Sequence, residues 1–154
     1  MNIQNYNFEG GLESGFKSLF IASDVELRTA DDIDEGGLPD ECIRFELDTG
    51  GPISNEHQNA DGEYDNYAGT FEIEIRTPRV TEEAPDDPVA FKSRHVELVA
   101  RTRQLLEEIG ATEISTHWPA AHSPTKIKPT GTSRETDAEF RITTLSYEVQ
   151  FRIT

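Results

Sequence analysis

The chain has 154 residues, which is about one domain's worth and long enough for a single core. Its 30 acidic and 14 basic residues give a net charge of -16. Because binding to nucleic-acid phosphates needs clustered Lys and Arg, this balance argues against a DNA-binding groove, and the densest basic stretch holds only Lys126, Lys128 and Arg134. We expect one soluble domain over residues 1–154 that repels polyanions.

The single cysteine, Cys42, cannot form an internal disulfide, so the fold is not expected to depend on an oxidising compartment. We interpret it as a small buried hydrophobe rather than a reactive thiol. The N-terminal residues show no basic region followed by an apolar run, and no apolar run approaches the roughly 20 residues that cross a bilayer. We therefore expect assembly in the cytosol and no membrane partner.

The first apolar set has helical spacing and predicts a short amphipathic helix: Leu12, Phe16, Leu19 and Phe20. Gly15 weakens this helix, which we expect to pack on its own sheet rather than on a neighbouring subunit. Val25 and Leu27 indicate the start of a short strand, and residues 31–40 read as a loop with glycine and proline breakers.

Two segments alternate apolar and polar residues, which is typical of half-buried strands. Residues 42–48 form the first, and the breaker Gly50-Gly51-Pro52 should end it. Residues 67–76 form the second, which Pro78 should close. We expect the two to pair antiparallel through a long polar connection, residues 53–66.

Asp87-Pro88 combines a helix N-cap with a proline in the first turn and predicts a helix start. The apolar face of this long helix holds Phe91, His95, Leu98, Val99, Thr102, Leu105, Leu106 and Ile109. Gly110 should end it, and the helix should pack across the sheet.

Residues 113–117 are predicted to form a short strand, and Pro119, Pro124 and Pro129 to mark an irregular stretch. The last segment alternates clearly and predicts the strand around which the fold is organised, with Leu145, Tyr147, Val149, Phe151 and Ile153 inward. Phe140 and Ile142 have the opposite parity, so we expect a bulge near Thr143.

The order of these elements favours an α+β domain. It predicts a largely antiparallel β-sheet covered on one face by the long amphipathic helix and the short N-terminal helix.

The four histidines are expected to be non-catalytic. His95 lies on an apolar helix face without a nucleophile or acid partner, so we interpret it as a satisfied core histidine. His117 and His122 flank Trp118-Pro119 and cannot share a regular helix face, while His57 lies alone in a polar segment. We therefore expect no metal site.

Residues 61–72 superficially match the acidic spacing of a calcium loop, but Asn66 replaces its glycine and Glu72 falls in a strand. We interpret this stretch as a solvated acidic loop. Close carboxylate pairs fall in loops as chance predicts: Asp31-Asp32, Glu82-Glu83 and Asp86-Asp87. Gly131-Thr132-Ser133 lacks the lysine of a phosphate-binding loop. We expect no catalytic residue, no cofactor and no enzymatic activity.

Several segments together resemble a known family. They are the strand end Arg76-Thr77-Pro78, the helix from His95-Val96-Glu97-Leu98-Val99 to Leu105-Leu106, the pattern Gly-x-Ser-x-x-x-Asp at Gly131, Ser133 and Asp137, and the strand Leu145 to Phe151. From about Cys42 onward the chain is similar to the small neck and tail proteins of tailed bacteriophages, in particular the tail terminator, or tail completion, group. The long connection at residues 50–66 departs from that group.

The resemblance implies a structural virion protein without catalytic residues, found in the tail and neck and assembled in the host cytoplasm. It implies a homo-oligomeric ring, usually a hexamer, that joins the tail tube to the head–tail connector or stopper proteins, with DNA as transiting cargo. Residues 53–66, 81–87 and 118–133, interpreted as acidic loops, would then provide inter-subunit or lumen contacts.

Two alternatives stay open. One is a small acidic capsid decoration, head-completion or adaptor protein that binds a basic partner. The other is a small metal-dependent enzyme.

Overall fold

One mixed sheet and the helices packed on it make up the part of the chain that the computed structural model describes, residues 7–23, 25, 27–29, 41–52, 66–79, 88–119, 122–136 and 139–153. The elements are α1 (Phe8–Ala22), β1 (Leu27–Thr29), β2 (Cys42–Pro52), β3 (Asn66–Pro78), α2 (Pro88–Glu107), α3 (Ala111–His117), β4 (His122–Thr136) and β5 (Phe140–Ile153). The α+β class is confirmed.

The five strands lie in the order β1-β2-β3-β5-β4. β1 pairs with β2 in parallel, and every other neighbouring pair is antiparallel, so the sheet is largely antiparallel as predicted. β2 extends to Pro52, beyond its predicted end. Its pairing with β3 shifts register between Asp48 and Gly51, so the strand continues through the predicted breaker Gly50-Gly51-Pro52. Gly50 has a φ of 59° there, a conformation that glycine adopts without strain.

The pairing of β3 with β5 decides which side chains face the core. Phe71 lies opposite Tyr147 and Ile73 opposite Leu145, and the register is continuous from Asn66 with Arg152 to Pro78 with Phe140. One face of the sheet therefore collects the buried side chains Ile43, Phe45, Leu47, Tyr67, Phe71, Ile73, Ile75, Thr77, Thr143, Leu145, Tyr147, Val149 and Phe151. We call this the core face and its opposite the open face.

Helix α1 contacts the core face as the apolar spacing predicted. The ring of Phe16 lies 5.0 Å from that of Phe45 and 4.8 Å from that of Phe71, measured between centroids. At the start of the helix, the Phe8 ring lies 5.3 Å from that of Phe151. The predicted apolar residues of α1 are all buried.

Helix α2 begins at Pro88, as predicted, and buries His95, Leu98, Val99, Thr102 and Leu106. It ends at Glu107, three residues before Gly110, and Gly110 is instead the N-cap of α3. The predicted N-cap Asp87 and the side chain of Phe91 lie outside the described residues.

The predicted strand at residues 113–117 is wrong, because these residues belong to helix α3. The carboxylate of Glu113 accepts a hydrogen bond of 2.9 Å from the Gly110 backbone N–H, which satisfies a free donor at the helix start. The Trp118 N–H closes the last turn on the Ile114 carbonyl at 3.0 Å. This local hydrogen bonding outweighs the β-propensity of the segment.

The predicted irregular loop at residues 118–133 is also wrong, since most of it forms strand β4 at the edge of the sheet. Its pairing with β5 shifts register between Pro124 and Lys126 and again between Pro129 and Gly131. Proline lacks the N–H of a ladder hydrogen bond and is tolerated at edges and bulges. The prolines at positions 124 and 129 therefore lie at bulges within a strand and do not prevent the strand from forming.

The predicted bulge near Thr143 is absent from the β3–β5 ladder. β5 is continuous, so Phe140 and Ile142 lie on the open face rather than in the core. Phe140 is partly covered there by the Arg76 guanidinium, whose central carbon lies 3.7 Å from the ring centroid.

Several predictions fall outside the described residues. They concern the loop at residues 31–40, most of residues 53–66, residues 81–87, His57 and the carboxylate pairs.

Candidate functional site

His95 links α2 to two strands through hydrogen bonds at both ring nitrogens. Nδ1 lies 2.8 Å from Thr77 Oγ1 on β3, and Nε2 lies 2.8 Å from Thr143 Oγ1 on β5. All three side chains are buried. Burial lowers the pKa of His95, and the positive charges of Arg141 and Arg134 lower it further. The interpretation of His95 as a satisfied core histidine is confirmed.

A cleft of about 320 Å³ lies beside His95, between α2 and the ends of β4 and β5. Four cationic side chains line it: Lys92 and Arg103 from α2, Arg134 from β4 and Arg141 from β5. Among the described residues of that lining, Glu135 is the one acidic side chain. We call this the cationic cleft, and its charge is opposite to that of the whole chain.

Arg141 is half-exposed, like Arg103, whereas Lys92 and Arg134 are exposed. The Nη1 atom of Arg141 is buried and has no hydrogen-bond partner among the described residues, which leaves a charged donor unsatisfied. Arg103 is held differently, since its Nη2 donates to Thr132 Oγ1 on β4 at 3.2 Å. Of the three guanidiniums that line the cleft, Arg103 is anchored and Arg141 has a donor that no described residue satisfies.

Two valines of α2 form an apolar rim beside these charges. Val96, one helical turn from Lys92, is 57% exposed, and Val99 is buried. A site with both an apolar rim and several guanidinium donors suits a carboxylate-bearing polypeptide better than a free metal ion.

The open face carries charges of both signs, since its described strands also present five basic side chains: Arg44, Arg76, Lys126, Lys128 and Arg152. Four of its exposed carboxylates form what we call the acidic strip: Glu46 and Asp48 on β2, Glu72 on β3 and Glu148 on β5. Glu46 lies directly opposite Glu72 in the β2–β3 ladder. A cavity of about 410 Å³ opens on this face beside Glu46, Asp48 and Glu72. Farther along β3, Glu74 approaches Arg44 at 3.8 Å.

The other two described histidines contact α1. His117 Nδ1 lies 2.8 Å from Ser18 Oγ. The His122 ring packs so closely on Gly11 that a Cβ there would overlap it, and the Trp118 indole packs on Gly15 in the same way. Trp118 Nε1 also donates to the Leu12 carbonyl at 3.2 Å. Gly15, predicted to weaken the helix, is the position where Trp118 docks.

Within the described ranges, no three His, Cys, Asp or Glu side chains are grouped closely enough to hold a metal ion. Cys42 is buried, in agreement with its predicted role as a small hydrophobe. A membrane-spanning helix, long and apolar enough to cross a bilayer, is not found among the described residues.

Sequence reasoning missed the cationic cleft because its charges come from three separate elements. One signal was available: Lys92, Val96, Val99 and Arg103 have helical spacing and form a second stripe beside the apolar face. The positions of Arg134 and Arg141 follow only from the pairing of β4 with β5.

Comparisons with known proteins identify no family. No protein-family model matches the chain, and no curated protein sequence matches it. The matching solved structures include a chain with a TM-score of 0.47 and 13% sequence identity, whose designation describes no function. That alignment covers 100% of this chain and 96% of the other. A likeness at this level supports no functional argument.

Proposed function

We propose that this protein is a structural virion component, a ring-forming tail terminator or tail completion protein that joins a phage tail tube to the connector proteins of the neck. DNA is transiting cargo in this proposal, and the protein performs no catalysis. The alternative class is an acidic decoration, head-completion or adaptor protein with a basic partner.

The observation that supports an assembly role is the open face of the sheet. We propose that α1 and α2 together cover the core face, since Phe16 of α1 and His95 of α2 both contact it. Apart from the buried Cys42, the described open-face side chains of β2, β3, β4 and β5 are exposed or half-exposed. A broad sheet face of this kind offers a preformed surface to neighbouring subunits.

The net charge of -16 supports the passage of DNA. A wall of this sign repels phosphates, so transiting DNA would not be trapped by the protein. The proposed contacts of residues 118–133 must be restated, since this segment is mainly an edge strand. An edge strand has unpaired backbone groups along one side and is itself a potential contact surface.

Light scattering of the purified chain, at low and moderate salt and with and without tail tubes, tests this proposal. We expect a discrete ring-sized mass, or a monomer that forms rings when tail tubes are added. A strict monomer that ignores tail tubes would contradict the proposal and favour an adaptor whose acidic strip binds a basic partner.

Glu148→Lys makes this test residue-specific. Glu148 is exposed on the open face, so the variant should fold normally. A folded variant that fails to assemble would locate the open face in an interface, whereas unchanged assembly would exclude this position from the contact.

A further inference from the structure

We propose that the cationic cleft of one copy of this chain receives the acidic strip of a second copy. This inference rests on the proposed function and specifies the contact between subunits. The two surfaces differ, so the contact is heterologous and joins copies head to tail.

The charge balance favours a local complement. Two chains of net charge -16 repel each other as they approach. A place where the sign is reversed offsets this repulsion and favours specific association. Four of the 14 basic residues of the chain are among the described residues that line the cationic cleft, and one carboxylate, Glu135, is among them. Opposite potentials across a contact provide orientation and suppress other pairings.

A residue that lines the cationic cleft also has an unsatisfied donor. Arg141 Nη1 is buried without a partner among the described residues, and an unpaired buried donor is unfavourable. A carboxylate that enters the cleft would pair with the half-exposed Arg141 guanidinium, whose planar group can bind both carboxylate oxygens. Lys92 and Arg134 are exposed at the mouth of the cleft and would pair with further acidic groups.

The acidic strip contains an unfavourable pair of like charges. Glu46 and Glu72 face each other across β2 and β3, and like charges directly opposite are unfavourable in a sheet. Neither makes an ion pair with another described residue. A cation from a neighbouring chain placed between them would replace this repulsion by attraction.

The placement of the two surfaces permits repetition of the contact. The cationic cleft adjoins α2 and His95, which contacts the core face, whereas the acidic strip lies on the open face of the same sheet. The surfaces are therefore on opposite sides and can be occupied at the same time. Repeated contacts of this kind close into a ring when the rotation between copies allows it.

The test is sedimentation velocity of the full chain and of matched charge reversals. Arg134→Glu reverses a charge at the cationic cleft, and Arg94→Glu makes the same change outside it on α2. Arg94 is exposed and pairs with Glu41 at 2.9 Å, a surface interaction of small value. We expect Arg134→Glu to raise the dissociation constant about tenfold or more and Arg94→Glu to leave it nearly unchanged.

A charge swap gives the decisive result. Glu72→Lys reverses the acidic strip and should also weaken self-association. When Arg134→Glu and Glu72→Lys chains are mixed, each cleft meets a strip of opposite sign, so the mixture should assemble although neither variant does so alone. If wild type assembles only on tail tubes, the comparison is made with tail tubes present.

The outcomes separate this inference from the proposed function. Rings that persist in Arg134→Glu, or equal losses in Arg134→Glu and Arg94→Glu, would overturn the cleft-to-strip contact and leave a ring-forming protein. A mixture that fails to assemble would overturn it as well. A wild-type chain that remains monomeric under all conditions would overturn both proposals.

Discussion

The two faces of the central sheet are built from the same strands but contribute differently to the stability of the fold. On the core face, Phe71, Ile73 and Ile75 of β3 are almost fully buried. On the open face of the same strand, Glu72 is exposed and opposes another glutamate. Folding accounts for the first face by burial of apolar area. The second face contains a pair of like charges, which folding alone does not favour.

The largest expected effect comes from a charge placed on the core face. Phe151 is fully buried in β5, so Phe151→Asp should prevent folding, at a cost of several kcal/mol for an unpaired buried charge. Urea denaturation followed by circular dichroism measures this. Gln150→Asp, one residue away on the open face, is the matched control and should change stability by no more than about 0.5 kcal/mol. Equal denaturation midpoints for Phe151→Asp and wild type would show that the core face is assigned incorrectly.

A smaller effect is expected where α1 meets Trp118. A Cβ at Gly15 would overlap the indole, so Gly15→Ala should displace Trp118 and destabilise the fold by about 1–3 kcal/mol despite the better helix propensity of alanine. Trp118 is the only tryptophan, so its fluorescence reports the displacement directly.

Gly131→Ala is the control for this close packing. No atom of a described residue other than the chain neighbours lies within 4 Å of a Cβ built at Gly131, an exposed position on β4. Its stability should stay within about 0.5 kcal/mol of wild type. A Gly15→Ala variant that is as stable as wild type, with unchanged fluorescence, would show that Trp118 does not depend on the glycine.

The third prediction concerns the pH dependence created by His95. Its pKa in the folded protein is lowered from the ordinary value of 6.5 by burial and by Arg141 and Arg134. As the pH falls through 6.5, the unfolded chain binds this proton first, so the free energy of unfolding decreases until the pH passes below the folded pKa. The stabilising contribution is therefore fully present above 6.5.

Urea titrations at several pH values measure this slope. The His95→Gln variant should lose less stability than wild type between neutral and mildly acidic pH, because the contribution of His95 to that loss is removed. The His117→Gln variant, changed at a histidine that contacts Ser18, should keep the contribution of His95. Identical slopes in the two variants would contradict the assignment.

The smallest effect is expected on the open face. Glu72→Gln removes the repulsion with Glu46 and should stabilise the monomer by about 0.2–0.5 kcal/mol at low salt, with the gain fading as salt is added. Glu148 lies opposite Lys128 in the β4–β5 register. Glu148→Gln removes this attraction and should therefore destabilise the monomer. Denaturation at two salt concentrations tests both, and a shared sign would show that these pairs do not interact.

The strands and helices with strong periodicity were predictable because their signal is local. Alternation identified the inward residues of β2, β3 and most of β5, and helical spacing identified the buried residues of α1 and α2. Each of these patterns indicates which side of a single helix or strand is buried. The buried role of His95 followed from the same periodicity.

Local patterns failed where another element decides the outcome. Prolines in β4 predicted a loop, but the strand is an edge whose bulges need no N–H from those residues. The opposite parity of Phe140 predicted a bulge, whereas β3 holds the strand in continuous register and Arg76 covers the ring on the open face. The second error assumed that an apolar residue must point to the core.

By itself the sequence determined the α+β class, the apolar faces of the main elements and the acidic balance, because hydrophobic periodicity and composition do not depend on distant contacts. Only the tertiary structure decided where opposite charges collect. Lys92 is far from Arg134 and Arg141 in the chain, and they meet because α2, β4 and β5 line one cleft. Electrostatic interactions depend on distances in space, which one-dimensional spacing does not supply.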